Sequence, residues 1–217
     1  MLAALLDLAL PQRCPGCGAA GAPVCFSCTA VAVARRMPSP APAGLPECLS
    51  ACEYAGTIRE AIVAYKERGR TVLAGPLSEL LAFALLDAPP LIVPVPSSRR
   101  TLRARGHDPV GRLAALAVRH LRALGRPASL VPALVQARRV ADQAGLSATQ
   151  RAANLASSLR CAEGAVAALS GRSAPPVVIV DDVVTTGATL AEAARALRVE
   201  GVDVRLAVTI AATRRRS

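Results

Sequence analysis

The stretch Val177 to Leu190, VVIVDDVVTTGATL, constrains the fold more than any other part of the chain. It opens on four apolar residues, Val177, Val178, Ile179 and Val180, all β-branched. A run of this kind suits a strand buried on both faces, the usual state of a parallel sheet covered by helices. Asp181 and Asp182 follow where that strand is expected to end. Small and hydroxylated residues come next, Thr185, Thr186, Gly187, Ala188 and Thr189, and then a helical pattern rich in Ala and Leu. The expected order is strand, acidic pair, polar turn, helix.

That order has chemical content. A helix N-terminus offers unpaired N–H groups and the positive end of the helix dipole, which together favour a phosphate. A glycine at the turn lets the backbone approach an anion, and the threonine hydroxyls add donors. Two carboxylates beside a phosphate repel it unless they meet sugar hydroxyls or a divalent cation. Phosphate, sugar and metal together describe a phosphorylated ribose. The stretch resembles the phosphoribosyl-diphosphate (PRPP) binding motif of type I phosphoribosyltransferases, apolar strand included. It is not a P-loop, since no Gly-Lys-Ser/Thr follows.

Upstream, Tyr54 to Gly69 places Ile58, Ile62 and Val63 on one helical face, with Lys66 near the end. Lys66 is the only lysine. It is either a solvated surface charge or a point charge for pyrophosphate. Leu73 to Leu86 reads as a second helix, stopped by Pro89 and Pro90. Leu91 to Pro96 reads as a short strand that runs into SSRRTLRARGHD, Ser97 to Asp108. Basic residues just beyond the carboxyl end of a core strand lie where α/β sheets bind ligands, and arginine forks match phosphate oxygens. Pro109 opens a helix to about Leu124, and SLVPAL, Ser129 to Leu134, reads as one strand. Val204 to Ala211 is the last strand. Strands alternating with helices imply a parallel sheet covered on both faces.

Near the start, Cys14-Pro-Gly-Cys17 and Cys25-Phe-Ser-Cys28 form two CxxC knuckles. Four soft ligands close the coordination of Zn²⁺, so the site is expected to be structural. Disulfides do not suit a reducing compartment. Cys48 and Cys52, at a helical spacing, and the lone Cys161 are read as packing residues. MPSPAPAGLP, Met37 to Pro46, is a proline-rich linker. The expected division is a helix and cysteine module over 1–36, a linker over 37–50 and the main domain over 51–217. The apolar start, MLAALLDLAL, carries Asp7 and no preceding basic residue, and reads as an amphipathic helix rather than a signal peptide. No apolar run approaches the roughly 18 residues of a membrane span, so no membrane insertion and a cytoplasmic location are expected. The net charge of +11 suits polyanionic partners, nucleic acid or phosphorylated small molecules, or else reflects solvated arginine-rich faces.

The whole order resembles the ComF family of phosphoribosyltransferase-like proteins, linked to DNA uptake in competence. The paired CxxC knuckles carry the likeness, with Tyr54-Ala-Gly-Thr-Ile-Arg and Lys66, Pro94-Val-Pro96, Arg105-Gly106, Gln143 with Leu146, Arg151 and Asn154, and the PRPP motif. Where that family usually has Arg-Gly-Phe-Asn, this chain has Arg105-Gly106-His107-Asp108. The resemblance implies a type I phosphoribosyltransferase-like parallel sheet flanked by helices, with a small N-terminal zinc-knuckle or ribbon module. It implies PRPP bound with Mg²⁺ along Val180, Asp181, Asp182, Thr185, Thr186, Gly187, Ala188 and Thr189. Asp181 and Asp182 would meet the ribose hydroxyls. Pyrophosphate would face Ser97, Ser98, Arg103 and Arg105, with Lys66, and Gln143, Arg151 and Asn154 would belong to a mobile lid. The acceptor would be a nucleobase or another nucleophile. A non-catalytic factor touching single-stranded DNA and a PRPP-sensing regulator are the alternatives, although the scarcity of aromatic residues argues against a stacking platform.

Overall fold

A computed structural model describes residues 13–25, 28–29, 31–97, 102, 106, 108–137, 157–169 and 174–213. The amphipathic helix expected at the start lies outside them. In chain order the elements are β1 (Ala34–Arg35), β2 (Glu47–Glu53), α1 (Gly56–Glu67), a 3₁₀ turn (Thr71–Leu73), α2 (Ala74–Ala84), β3 (Leu91–Pro94) and α3 (Pro109–Ala123). They continue with β4 (Ser129–Leu130), β5 (Leu134–Gln136), β6 (Leu159–Cys161), α4 (Val166–Leu169), β7 (Val177–Val184), α5 (Ala188–Val199) and β8 (Val204–Ala212).

Six strands form one sheet in the order β1-β2-β8-β7-β3-β4. Every neighbouring pair is parallel except β1 with β2. The Val177 run thus sits inside the sheet, between β3 and β8, as its composition requires. Its side chains alternate as a strand demands. Val178 and Val180 join the core built by α1, α2 and α3, with Ile62, Leu77 and Leu113. Val177 and Ile179 join the opposite core with Leu190, Ala193 and Leu197 of α5. The fold is a mixed α/β architecture with a mostly parallel central sheet flanked by helices.

Three expectations need correction. β7 does not stop before the acidic pair but runs to Val184, because Asp181, Val183 and Val184 pair with Thr209, Ala211 and Ala212 of β8. SLVPAL is two strands in two sheets. The Val131 N–H donates to the Ile92 carbonyl at 2.9 Å, continuing the main sheet, whereas Pro132 has no N–H to donate. From Leu134 the chain pairs antiparallel with β6 instead. The proline-rich segment is not a free linker. Glu47 to Ser50 already belong to β2. Met37 and Leu45 pack on the α5 core, and the Gly44 carbonyl accepts a hydrogen bond from Arg198 Nη1 at 2.5 Å. Cys48 and Cys52 accordingly lie in a strand rather than a helix. Both are buried, one in each core, and Cys161 is buried with Cys48. All three are packing residues, with burial pushing each thiol up, to about 11 for Cys48 and Cys52.

Candidate functional site

β7 delivers its last residues to the carboxyl edge of the sheet, where the chain turns through Thr185 and Thr186 into α5. A cavity of about 270 Å³ opens there, lined by Asp181, Val183, Val184 and the run Thr185–Leu190. That is close to the roughly 300 Å³ at which small-molecule sites begin. Gly187 caps α5 at φ +76°, and among the described residues no side chain caps the helix. The first N–H groups of a helix lack intrahelical acceptors. Ala188 N–H has the Thr186 hydroxyl at 3.5 Å, a weak partner. The cavity therefore combines helix-end donors, threonine hydroxyls and one carboxylate.

Gly187 is required for a reason the sequence did not show. A Cβ there would come within 2.8 Å of Leu45 Cδ2 and 3.0 Å of Pro38 Cγ. The proline-rich segment packs against the turn and holds it in place. Thr213, beyond β8, secures the other side by donating its N–H to the Val184 carbonyl at 3.0 Å. Leu45, Pro38 and Thr213 carry no motif. Only the lone leucine in a proline-rich run hinted at packing.

The acidic pair divides. Asp181 lines the cavity, and its Oδ1 accepts the Asp182 N–H at 2.8 Å. Burial, then the Asp182 charge, push the Asp181 carboxyl above its ordinary 3.8, and Lys66 pulls it back only in part. Asp182 is 4% exposed and is absent from the cavity wall. Its Oδ2 lies 2.5 Å from Lys66 Nζ. The structure thus pairs Lys66 with Asp182. Val180, expected at the ligand, is wholly buried in the core.

Of the expected pyrophosphate loop, Ser97 is described. Its hydroxyl donates to Asp108 Oδ1 at 2.7 Å and so ties together the two ends of the basic segment. Here Asp108 has a role that the sequence comparison with an asparagine had not suggested. Tyr65 donates to the neighbouring Pro109 carbonyl at 3.1 Å and fixes that end to α1. Ser98, Arg103 and Arg105, and the lid positions Gln143, Arg151 and Asn154, lie outside the described residues.

A further anchor escaped the sequence reading. Buried Glu192 on α5 accepts the Leu159 N–H at 3.0 Å and both Nε and Nη2 of Arg195, at 2.7 and 2.9 Å. Arg195 Nη2 also donates to the Leu159 carbonyl at 3.0 Å. Burial raises the Glu192 carboxyl, but the Arg195 and main-chain hydrogen bonds outweigh it and hold it below 4.5. The two-stranded β5–β6 sheet is thereby locked to the helix that heads the cavity.

The second candidate site is the cysteine module. The Sγ atoms of Cys14, Cys17, Cys25 and Cys28 all lie within 4.8 Å of one another. Cys17 and Cys25 are 3.6 Å apart, near the ~3.8 Å edge of a zinc tetrahedron with 2.3 Å bonds. Each knuckle is closed by its own turn, Gly18 N–H to Cys14 O and Cys28 N–H to Cys25 O. Burial pushes the Cys14 thiol up, but the N–H groups of Cys25, Cys17 and Gly16 outweigh it and bring it down to about 6. The sulfurs of Cys25 and Cys17, then burial, push Cys28 up to about 12. A pocket that stabilises one thiolate and then resists more negative charge is one that a dication completes. The donor set fits Zn²⁺. The module seats on α1, where a Cβ on Gly16 would fall 2.0 Å from Thr57 Oγ1.

Residues 114–217 match the family model described as the phosphoribosyl transferase domain. The match begins inside α3 and takes in β7, the turn and α5. It supports a phosphoribosyltransferase-like protein of type I, with the cavity inside the matched region and Lys66 and the cysteines before it. No curated protein matches the chain. Among the described residues no helix is long and apolar enough to cross a membrane.

Proposed function

We propose that the chain is a ComF-type phosphoribosyltransferase-like protein. It binds PRPP at the turn between β7 and α5 and transfers the phosphoribosyl group to an acceptor, a nucleobase being the first candidate, with release of pyrophosphate. The observation that carries this reading is the cavity at the start of α5, where helix-end N–H groups, three threonines and Asp181 converge. The 5′-phosphate lies on the N–H groups of the turn and the hydroxyls of Thr185, Thr186 and Thr189. Asp181 accepts hydrogen bonds from the ribose hydroxyls. Pyrophosphate faces the basic segment, with Ser98, Arg103 and Arg105 as the residues expected to meet it. As a bond forms from the acceptor to the anomeric carbon, the bond to pyrophosphate breaks, and the residues act by position and by charge.

Phosphoribosyltransferase domains generally use Mg²⁺, and the carboxylate of Asp181 is the hard oxygen donor that this ion prefers. When bound it neutralises charge on the departing pyrophosphate. The cysteine module holds a structural Zn²⁺, and the protein acts in the cytoplasm.

Titration calorimetry with PRPP and Mg²⁺, followed by pyrophosphate release over a panel of nucleobases, tests the reading. Binding that Asp181→Asn weakens is the expected result, and absence of binding would sink it. The +11 charge supplies a second reading, contact with single-stranded DNA. DNA binding that falls steeply with salt and survives Asp181→Asn would favour that alternative.

A further inference from the structure

The alternation of β7 separates its two carboxylates. Successive side chains on a strand point to opposite faces. Val177 and Ile179 face α5, so Asp181 follows them toward the cavity. Val178 and Val180 face α1, α2 and α3, and the Asp182 carboxylate meets α1 on that side. There the last turn of α1 brings Lys66 to it, with Nζ 2.5 Å from Oδ2. The Asp182 side chain is 5% exposed and that of Lys66 is 29% exposed. Among the described residues no donor meets Asp182 Oδ2 with hydrogen-bond geometry, and the ammonium of Lys66 supplies the compensating charge.

A buried carboxylate without a counter-ion is costly, and here it would stand directly beneath a site built for a dianion. With Lys66 in place, Asp182 adds no net charge beneath the cavity. The same ion pair pins the end of β7 to α1, and so fixes the point from which Asp181 and the turn project. Lys66 has no need to touch the ligand to do this.

We propose that Lys66 is a positioning residue of the sugar-phosphate site, acting through Asp182 to neutralise the charge under the cavity and to anchor the strand that carries Asp181. The proposal rests on the PRPP reading. It differs from a lysine that binds pyrophosphate directly in one measurable respect. Removing Asp182 cannot replace a missing ammonium–pyrophosphate bond, whereas it does rebalance a charge left without its counter-ion.

The test is a double-mutant cycle on the full chain, read by calorimetry with PRPP and Mg²⁺. Lys66→Met is expected to weaken binding about tenfold, less than the full cost of breaking a wholly buried pair because Lys66 is partly exposed. Lys66→Met with Asp182→Asn should recover most of that loss, and Lys66→Arg, which keeps the charge, should stay close to the unmutated protein. A double variant no better than Lys66→Met alone, or a Lys66→Met chain of unchanged affinity, would overturn the proposal. So would a loss in Lys66→Arg as large as that in Lys66→Met. The same cycle is run on thermal unfolding without ligand. If the unmutated protein binds no PRPP, the functional reading fails, while non-additive unfolding midpoints still report the Lys66–Asp182 pair.

Discussion

The two candidate sites are built in opposite ways. The cysteine module is made of side chains, four sulfurs within 4.8 Å on loops with little regular structure around them. The cavity is lined by one continuous stretch, the end of β7 and the first turn of α5, and its place is set by the strand and the helix. α1 meets the module at one end and the strand that carries the cavity at the other. Gly16 seats against Thr57 at its start, and Lys66 meets Asp182 from its last turn. The helix has 12 residues, about 18 Å at 1.5 Å per residue. A site made of ligands fails when one ligand goes. A site made by sheet geometry fails only when the geometry is forced.

Loss of the metal proposed at the four cysteines should therefore have the largest effect, and a local one. Structural zinc contributes roughly 10–16 kcal/mol in small modules. Cys17→Ser or chelation should abolish metal binding, read by elemental analysis, and open residues 13–29 to proteolysis. PRPP affinity should move no more than about twofold, the usual scale for separated sites. A loss well beyond that would break the contrast and show that α1 transmits strain between them.

Forcing the geometry comes next. Gly187→Val puts a β-branched residue at φ +76° with its Cβ 2.8 Å from Leu45. Strain and overpacking should each cost about 1–3 kcal/mol. A fall in both the unfolding midpoint and PRPP affinity is expected. Adding Leu45→Ala should return part of the stability, since it relieves the crowding and not the dihedral strain.

Glu192→Gln is smaller, about 1–2 kcal/mol, because Arg195 is half in solvent and a neutral amide still accepts the Leu159 N–H. Its sign with pH is defined. The folded carboxyl lies below 4.5, so its contribution is complete above that value and is lost as pH falls through the folded one. Acid unfolding of the Gln variant should show a shallower dependence across that window. An unchanged profile would mean that the clamp is not held by charge.

What the sequence made legible was local. The valine run, the turn and the Ala-rich helix succeed one another without any distant partner, and the structure has that strand, turn and helix with a cavity at the turn. The cysteine spacing was equally readable, since each knuckle is a single turn. What failed was pairing across the chain. Glu47 to Ser50 looked like a linker after Pro46 because their partner, β8, begins at Val204. β7 gained its last four residues from the same strand. The Lys66–Asp182 pair went unread because nothing near Lys66 in sequence names Asp182. Leu45 and Pro38 against Gly187 are contacts of the same kind.

The smallest effect is expected where the sheet itself supports the cavity. Thr209 is the register partner of Ser50 on one side and of Asp181 on the other. The Ser50 and Thr209 hydroxyls meet at 2.7 Å with no exposure to solvent. Ser50→Ala removes one partner, but Thr209 keeps its hydrogen bond to the Ala211 carbonyl at 3.1 Å. No buried donor is orphaned, so the cost should be only about 1 kcal/mol, without change in PRPP affinity. Thr209→Val leaves the buried Ser50 hydroxyl without that partner and should cost more. If Ser50→Ala alone weakened PRPP binding, the hydroxyl row would be holding Asp181 in place, and the cavity would depend on side chains far more than its backbone frame implies.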